Sequence, residues 1–362
     1  MLVLRTFASR TPLMLTRLAL DDLIRPNFKR MRFYKSARGE FDGAAEVLLD
    51  ANENPYDTGH NRYPDPLHRT LRRAIAEAYG VPPDGIFIGH GSSEAIDLLM
   101  RLTCRPGRDR VVQLSPTFGL YRVDADLNDV AVLDVPLVGP DLRPDVGQVL
   151  AKAEPGRDRL LFLCTPNNPT GHDYPRADVM RLVEGFPGIV VIDQAYVEFS
   201  DLPPYRALVA EHPHVVVLET MSKAYGLAGS RVGLAFGDPE LIGWLNAIKP
   251  PYNVSAESAA AALEAVRARG TRVAEQIAAM RAERDGLLAA FAKTGFFERV
   301  YPTDANFVLV AHPRAEELYG FLLERGIVVR NQTSKMGSGH LRVSVGTPAE
   351  NARLLDALAE FA

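Results

Sequence analysis

Lys223 lies in the run Thr220-Met221-Ser222-Lys223-Ala224-Tyr225-Gly226-Leu227-Ala228-Gly229-Ser230-Arg231, between the apolar stretches Val215 to Leu218 and Val232 to Phe236. This places it in a loop just past a strand end, where α/β proteins carry their chemistry. The small residues up to Arg231 suit a close-packed turn that a ligand can approach. An amine in a crevice, with a hydroxyl beside it and a guanidinium further on, suits an aldehyde held as a Schiff base whose phosphate Ser222 and Arg231 bind. Pyridoxal phosphate fits that description. The same residues also describe a solvated surface lysine with an unrelated arginine.

Other residues bear on the choice. Asp193 ends the apolar run Ile189 to Asp193. A buried carboxylate is costly without a cation, and a pyridinium nitrogen would supply one, as would an arginine; a helix N-cap is the third option. Ser92 and Ser93 follow Gly89-His90-Gly91 at the start of a helical pattern, which makes either an anion site or a plain N-cap. Glu94 stands where a dinucleotide-binding turn would need its third glycine. Phe118 falls just beyond a strand end, where a ring stacks on a flat heterocycle or packs into the core. Asn168 occupies a turn fixed by Pro166 and Pro169 and is free to hydrogen-bond outward. Arg330 and Arg342 lie in strand-like runs, where a guanidinium needs a phosphate, a carboxylate or a structural ion pair.

The elements that must position these groups are legible as a pattern. Apolar runs at Ile86 to Ile88, Arg110 to Leu114, Val130 to Val135, Arg159 to Cys164, Ile189 to Asp193 and Val215 to Leu218 alternate with helix-like segments. Their apolarity is continuous, so both faces of each strand are expected to be buried in a mainly parallel sheet between helices. Beyond the proline hinge Lys249-Pro250-Pro251, an alanine-rich helical pattern from Ser255 to Ala292 breaks at Gly270. Strand-like runs at Ala305 to Val310, Ile327 to Arg330 and Leu341 to Val345 then suggest a smaller α+β unit.

Composition narrows the functional classes. The chain has 362 residues, 47% hydrophobic and 24% charged, with a net charge of −4. That length calls for two domains or one large domain with a satellite. An acidic balance without a basic stripe argues against nucleic acid, and no apolar run spans a membrane. Two cysteines without CxxC spacing point to a reducing cytoplasm. Met1 to Leu20 carry arginines and no acid, a transit-like composition. They are read as a non-core extension, with an organelle address left open.

Taken together, Leu49-Asp50-Ala51-Asn52-Glu53-Asn54-Pro55, Arg62-Tyr63-Pro64-Asp65, Thr165-Pro166-Asn167-Asn168-Pro169-Thr170-Gly171, Asp193-Gln194-Ala195-Tyr196, Ser222-Lys223-Ala224 and Leu341-Arg342-Val343-Ser344-Val345-Gly346 resemble the histidinol-phosphate aminotransferase branch of the fold-type I, aspartate-aminotransferase superfamily. The resemblance runs from about Arg25 to the C-terminus. It implies an α/β fold, with a large domain built on a mainly parallel seven-stranded sheet between helices and a smaller α+β domain. The expected divisions are an extension over 1–24, an arm and part of the small domain over 25–60, the cofactor-binding domain over 61–254, and a connecting helix with the small domain over 255–362.

The resemblance also implies roles. Lys223 would form the Schiff base, Asp193 would pair with the pyridinium nitrogen, and Asn168 and Tyr196 would bond the phenolic oxygen beneath a ring stacked on Phe118. Ser92, Ser93, Ser222 and Arg231 would hold the cofactor phosphate, with Tyr63 reaching it from the second subunit of a homodimer. Arg342 would receive the substrate carboxylate, while Tyr34, Asn52 and Arg330 would complete the substrate site. The implied reaction transfers the amino group of histidinol phosphate to 2-oxoglutarate, giving glutamate. Phe118 where the family often has Tyr, and Gln194 where Glu is common, leave the preferred amino donor open. An aromatic aminotransferase or a threonine-phosphate decarboxylase would use nearly the same frame. A non-catalytic protein that kept the fold is the rival from another class, and Lys223 weighs against it.

Overall fold

Apolar runs without alternation become strands covered on both sides. The computed structural model describes residues 20–33, 47–337 and 339–361. Strands β1 (Ile86–His90), β2 (Arg110–Ser115), β3 (Ala131–Pro136), β4 (Asp158–Cys164), β5 (Ile189–Asp193), β6 (Val215–Thr220) and β7 (Val232–Phe236) form one seven-stranded sheet. Their order is β1-β7-β6-β5-β4-β2-β3. Every residue of β4 to β7 is buried. Pairing is parallel from β3 through β2, β4 and β5 to β6, whereas β7 runs antiparallel to both β6 and β1.

Alternate residues of each strand feed two cores. Leu161, Leu163, Val190 and Ile192 face the layer that holds helices Arg69–Tyr79, Val146–Lys152 and Arg176–Gly185. Leu160, Phe162, Ile189 and Val191 face helices Ser92–Thr103, Leu120–Leu127 and Pro239–Ile248. The parallel strands therefore end along one rim with helices on either side, the arrangement in which α/β folds bind ligands.

A second sheet pairs β8 (Arg299–Val300), β9 (Phe307–Ala311), β10 (Arg330–Asn331) and β11 (His340–Ser344), all antiparallel, in the order β10-β11-β9-β8. Its own core joins Phe291, Val308, Leu318, Leu341 and Leu354. The helical pattern after Ser255 is two helices, Ala256–Arg267 and Arg272–Thr294, separated around Gly270; the Ser255 hydroxyl accepts from Ser258 N at 3.1 Å to start the first.

Three expectations need correction. The extension read over 1–24 is not wholly outside the core: Leu23 and Ile24 are buried, and the Arg159 guanidinium donates to the carbonyls of Asp22 and Leu23 at 2.9 and 2.7 Å. The strand read over Ile327 to Arg330 survives only at Arg330, because Val328 is 80% exposed and has nothing to pack on. The burial expected of both faces fails at β3, the end strand of the sheet, where only Val135 is buried. Tyr34 lies outside the described residues.

Candidate active site

The rim of the large sheet opens into a cavity of about 700 Å³. Lining it are Ser92, Ser93, Phe118, Asn168, Asp193, Tyr196, Ser222, Lys223, Arg231, Arg330 and Arg342. The chain thus brings together residues from the ends of β1, β4, β5 and β6, the start of β7, and two strands of the smaller sheet.

Lys223 follows β6 in a loop that opens onto the cavity. Burial lowers the pKa of its ammonium, as do the positive charges of Arg342 and Arg231, while Asp193 opposes them. Its Nζ lies 5.8 Å from the centre of the Tyr196 ring. Asp193 ends β5 and is 2% exposed. Its Oδ2 accepts from the Tyr121 hydroxyl at 2.6 Å, and its Oδ1 accepts from Ala195 N at 3.1 Å. Burial raises its pKa against both hydrogen bonds and the charge of Lys223. Of the three options for this carboxylate, no arginine pairs with it among the described residues.

Tyr121 was not anticipated. It stacks on Phe162 with centroids 4.5 Å apart, and Phe118 meets its edge at 5.5 Å. Asn168 is buried, and its Oδ1 accepts from Arg342 Nη1. Asn167 ties the neighbouring loops, donating to Pro116 O and Thr170 Oγ1 at 2.9 Å each. Gln194 points away from the cavity, its Oε1 accepting from Tyr205 N at 2.7 Å.

The helix Ser92–Thr103 starts at Gly91 (φ 73°) with no side-chain cap, and Gly91, Ser92 and Ser93 line the cavity. Glu94 folds back instead, accepting from His90 N at 2.6 Å and from Asn253 at 2.7 Å, which braces the turn. A side chain at residue 91 would strike the Arg231 guanidinium at 2.7 Å, and one at Gly233 would come within 2.0 Å of Ser92 N. The missing side chains leave a cationic, amide-lined seat for an anion.

Asn52 and Tyr63 do not reach this cavity. They line a second one, of about 1180 Å³, that shares Arg231 with the first. Tyr63 is 49% exposed and stacks on Tyr252 at 4.4 Å. Besides Tyr121, sequence reading missed Lys335, which lines the first cavity from the single-turn helix Thr333–Met336.

A buried carboxylate with hydrogen-bond donors but no cation, an amine of lowered pKa and an anion seat all open on one space. Together they fit a phosphorylated pyridine aldehyde. Comparison with known proteins agrees. Residues 37–358 match the model of the family described as aminotransferase class I and II. The histidinol-phosphate aminotransferase of Bacteroides fragilis is 43% identical over 344 residues, covering 94% of this chain and 99% of that protein. Its counterpart in Parabacteroides distasonis is 44% identical over 340 residues, covering 94% and 98%. Among solved structures, histidinol-phosphate aminotransferase from Sinorhizobium meliloti in complex with pyridoxal-5'-phosphate superposes with a TM-score of 0.75 at 26% identity, covering 83% of this chain and 84% of that one.

Proposed function

The chain belongs to the class I and II aminotransferases, and from that premise we propose that it moves the amino group of L-histidinol phosphate to 2-oxoglutarate, a step of histidine biosynthesis. The products are 3-(imidazol-4-yl)-2-oxopropyl phosphate and L-glutamate. One observation carries this reading: Lys223 and Asp193, which no arginine pairs with among the described residues, share a cavity that Arg330 and Arg342 also line. The first pair suits the cofactor, and the second suits substrates that exchange a phosphate for a carboxylate between half-reactions.

When bound, pyridoxal phosphate supplies an aldehyde that takes up the amino group and a ring that accepts electrons from the substrate α-carbon. The Asp193 carboxylate keeps the proton on the ring nitrogen. Lys223 would be the amine that holds the aldehyde and the base that moves the proton at the substrate α-carbon, and its lowered pKa favours the free amine such a base needs. Asn168 and Tyr196 would hydrogen-bond the phenolic oxygen, and Phe118 would stack on the ring. The amides of Ser92 and Ser93, with Ser222 and Arg231, would hold the cofactor phosphate. Arg342 would receive the substrate carboxylate, with Tyr34 and Arg330 serving the substrate's other end; Asn52, which lines the second cavity, is not placed among them. Tyr63 completes the phosphate site of a second copy in a homodimer. Support for that pairing is the exposed Leu49, Tyr56 and Tyr63 near the second cavity. The expected compartment is the cytoplasm, in keeping with two free, buried cysteines.

Side-by-side kinetics of histidinol phosphate, phenylalanine and threonine phosphate test the substrate assignment. Histidinol phosphate is expected to give the highest kcat/KM, and failure with it alongside rapid turnover of phenylalanine refutes the assignment. Lys223→Ala should lose the visible cofactor band and more than about a thousandfold in kcat.

A further inference from the structure

Lys335 belongs to none of the roles above. Its short helix is anchored from outside, where Asn331 Nδ2 donates to Glu316 Oε2 at 2.8 Å and the Thr333 hydroxyl donates to the same carboxylate. From there the Lys335 side chain lines the cavity, and its Nζ donates to Thr117 O at 2.9 Å. Residue 119 is glycine, and a side chain there would meet Nζ at 3.2 Å. The ammonium therefore occupies a place that the large sheet's loop leaves open.

Arg330 lies opposite Arg342 across β10 and β11, and both line the cavity together with Gln332 and Lys335. Among the described residues, no carboxylate lies within ion-pair distance of Arg330, Lys335 or Arg342. Partial burial of its ammonium in the cavity lowers the Lys335 pKa, and the charges of Arg342 and Arg330 lower it further. The buried Nε of Arg342 has no hydrogen-bond partner among the described residues. Like charges gathered this way repel one another unless an anion of matching charge sits between them. A single carboxylate is matched by one arginine. A phosphate monoester carries close to two charges on three acceptor oxygens and needs more donors. Lys335 has three N–H donors, of which Thr117 O takes one.

We propose that Lys335 is a specificity-determining residue, a third cation beside Arg330 and Arg342 that favours a dianionic phosphate over a carboxylate at the far end of the amino donor. This inference rests on the proposed function, and its test separates the two. Lys335 stands on an exposed turn, so its exchange leaves the cores untouched. Lys335→Met and Lys335→Arg holoenzymes are compared with wild type for KM of L-histidinol phosphate, KM of L-glutamate and inhibition by inorganic phosphate. In Lys335→Met the ratio of the two KM values should rise about tenfold or more in disfavour of histidinol phosphate, with phosphate inhibition weakened in parallel, while Lys335→Arg restores most of both. An unchanged ratio, or equal losses for both donors, overturns the role of Lys335. A wild-type enzyme that ignores histidinol phosphate would overturn the proposed function instead. Phosphate inhibition, measured against whichever donor it accepts, would then still decide the matter, and the same inhibition constant in wild type and Lys335→Met refutes the inference.

Discussion

At the scale of single residues, the balance around Asp193 rests on Tyr121. Its hydroxyl is one of two donors to a carboxylate that burial drives toward the neutral form. A neutral Asp193 could not keep a proton on a ring nitrogen, so the hydroxyl does more than fill space. Tyr121→Phe preserves the stack on Phe162 and removes only the donor. It should lower kcat about tenfold, or ~1.4 kcal/mol, and weaken cofactor binding; an unchanged kcat would show that Ala195 N suffices alone. Lys223, Asp193, Arg330 and Arg342 were legible because charge at a strand end is costly without a purpose. Tyr121 was not, since an aromatic inside a helix reads as core, and it is core on one edge. Lys335 sits among Thr333, Ser334 and Gly337, a composition that reads as loop.

At the scale of elements, a polar cluster lies beneath the Lys223 loop. Glu198 sits in the short 3₁₀ turn Val197–Phe199 after Tyr196, Glu219 on β6, and Arg206 in the 3₁₀ turn Tyr205–Ala210. Arg206 donates to Glu219 and lies 4.3 Å over the Tyr79 ring, whose hydroxyl shares a hydrogen bond with Tyr225 of the loop. Burial and the neighbouring Glu219 push the Glu198 carboxyl up to about 8, with Arg206 and Arg269 opposing. The folded chain therefore keeps a proton that the unfolded chain releases above 4.5. Stability from this source is present below that pH and is lost as pH rises to about 8. Between about pH 5 and pH 8, wild type should lose about 1–3 kcal/mol more than Glu198→Gln in urea unfolding. Parallel curves would dismiss the proton. Strands β1 to β7 were readable from continuous apolarity, as was the break near Gly270. The two-residue strands β8 and β10 were not, since two residues carry no period.

At the scale of the molecule, the smaller unit is held against the larger by contacts at the cavity and beside it. Arg342 reaches Asn168, Lys335 reaches Thr117, Arg284 donates to Phe199 O at 3.0 Å, and Asp304 N donates to Gly171 O at 2.8 Å. If two copies share their sites, mixing inactive Tyr63→Ala and Lys223→Ala chains should restore about a quarter of wild-type activity, because half the dimers would carry one intact site. No recovery after mixing and refolding would mean that each chain works alone. The antiparallel return of β7 has a consequence for this centre. Residues 221–231 are hitched at both ends to the same edge: Met221 N donates to Val232 O at 3.1 Å, Leu227 N to Met221 O at 2.9 Å, and Gly91 N to Arg231 O at 2.9 Å. The segment is a stirrup of fixed span. Its side chains are open to exchange, but lengthening or shortening it by one residue would shift amine and guanidinium together or unzip interior strands, so design at this centre must leave its length alone.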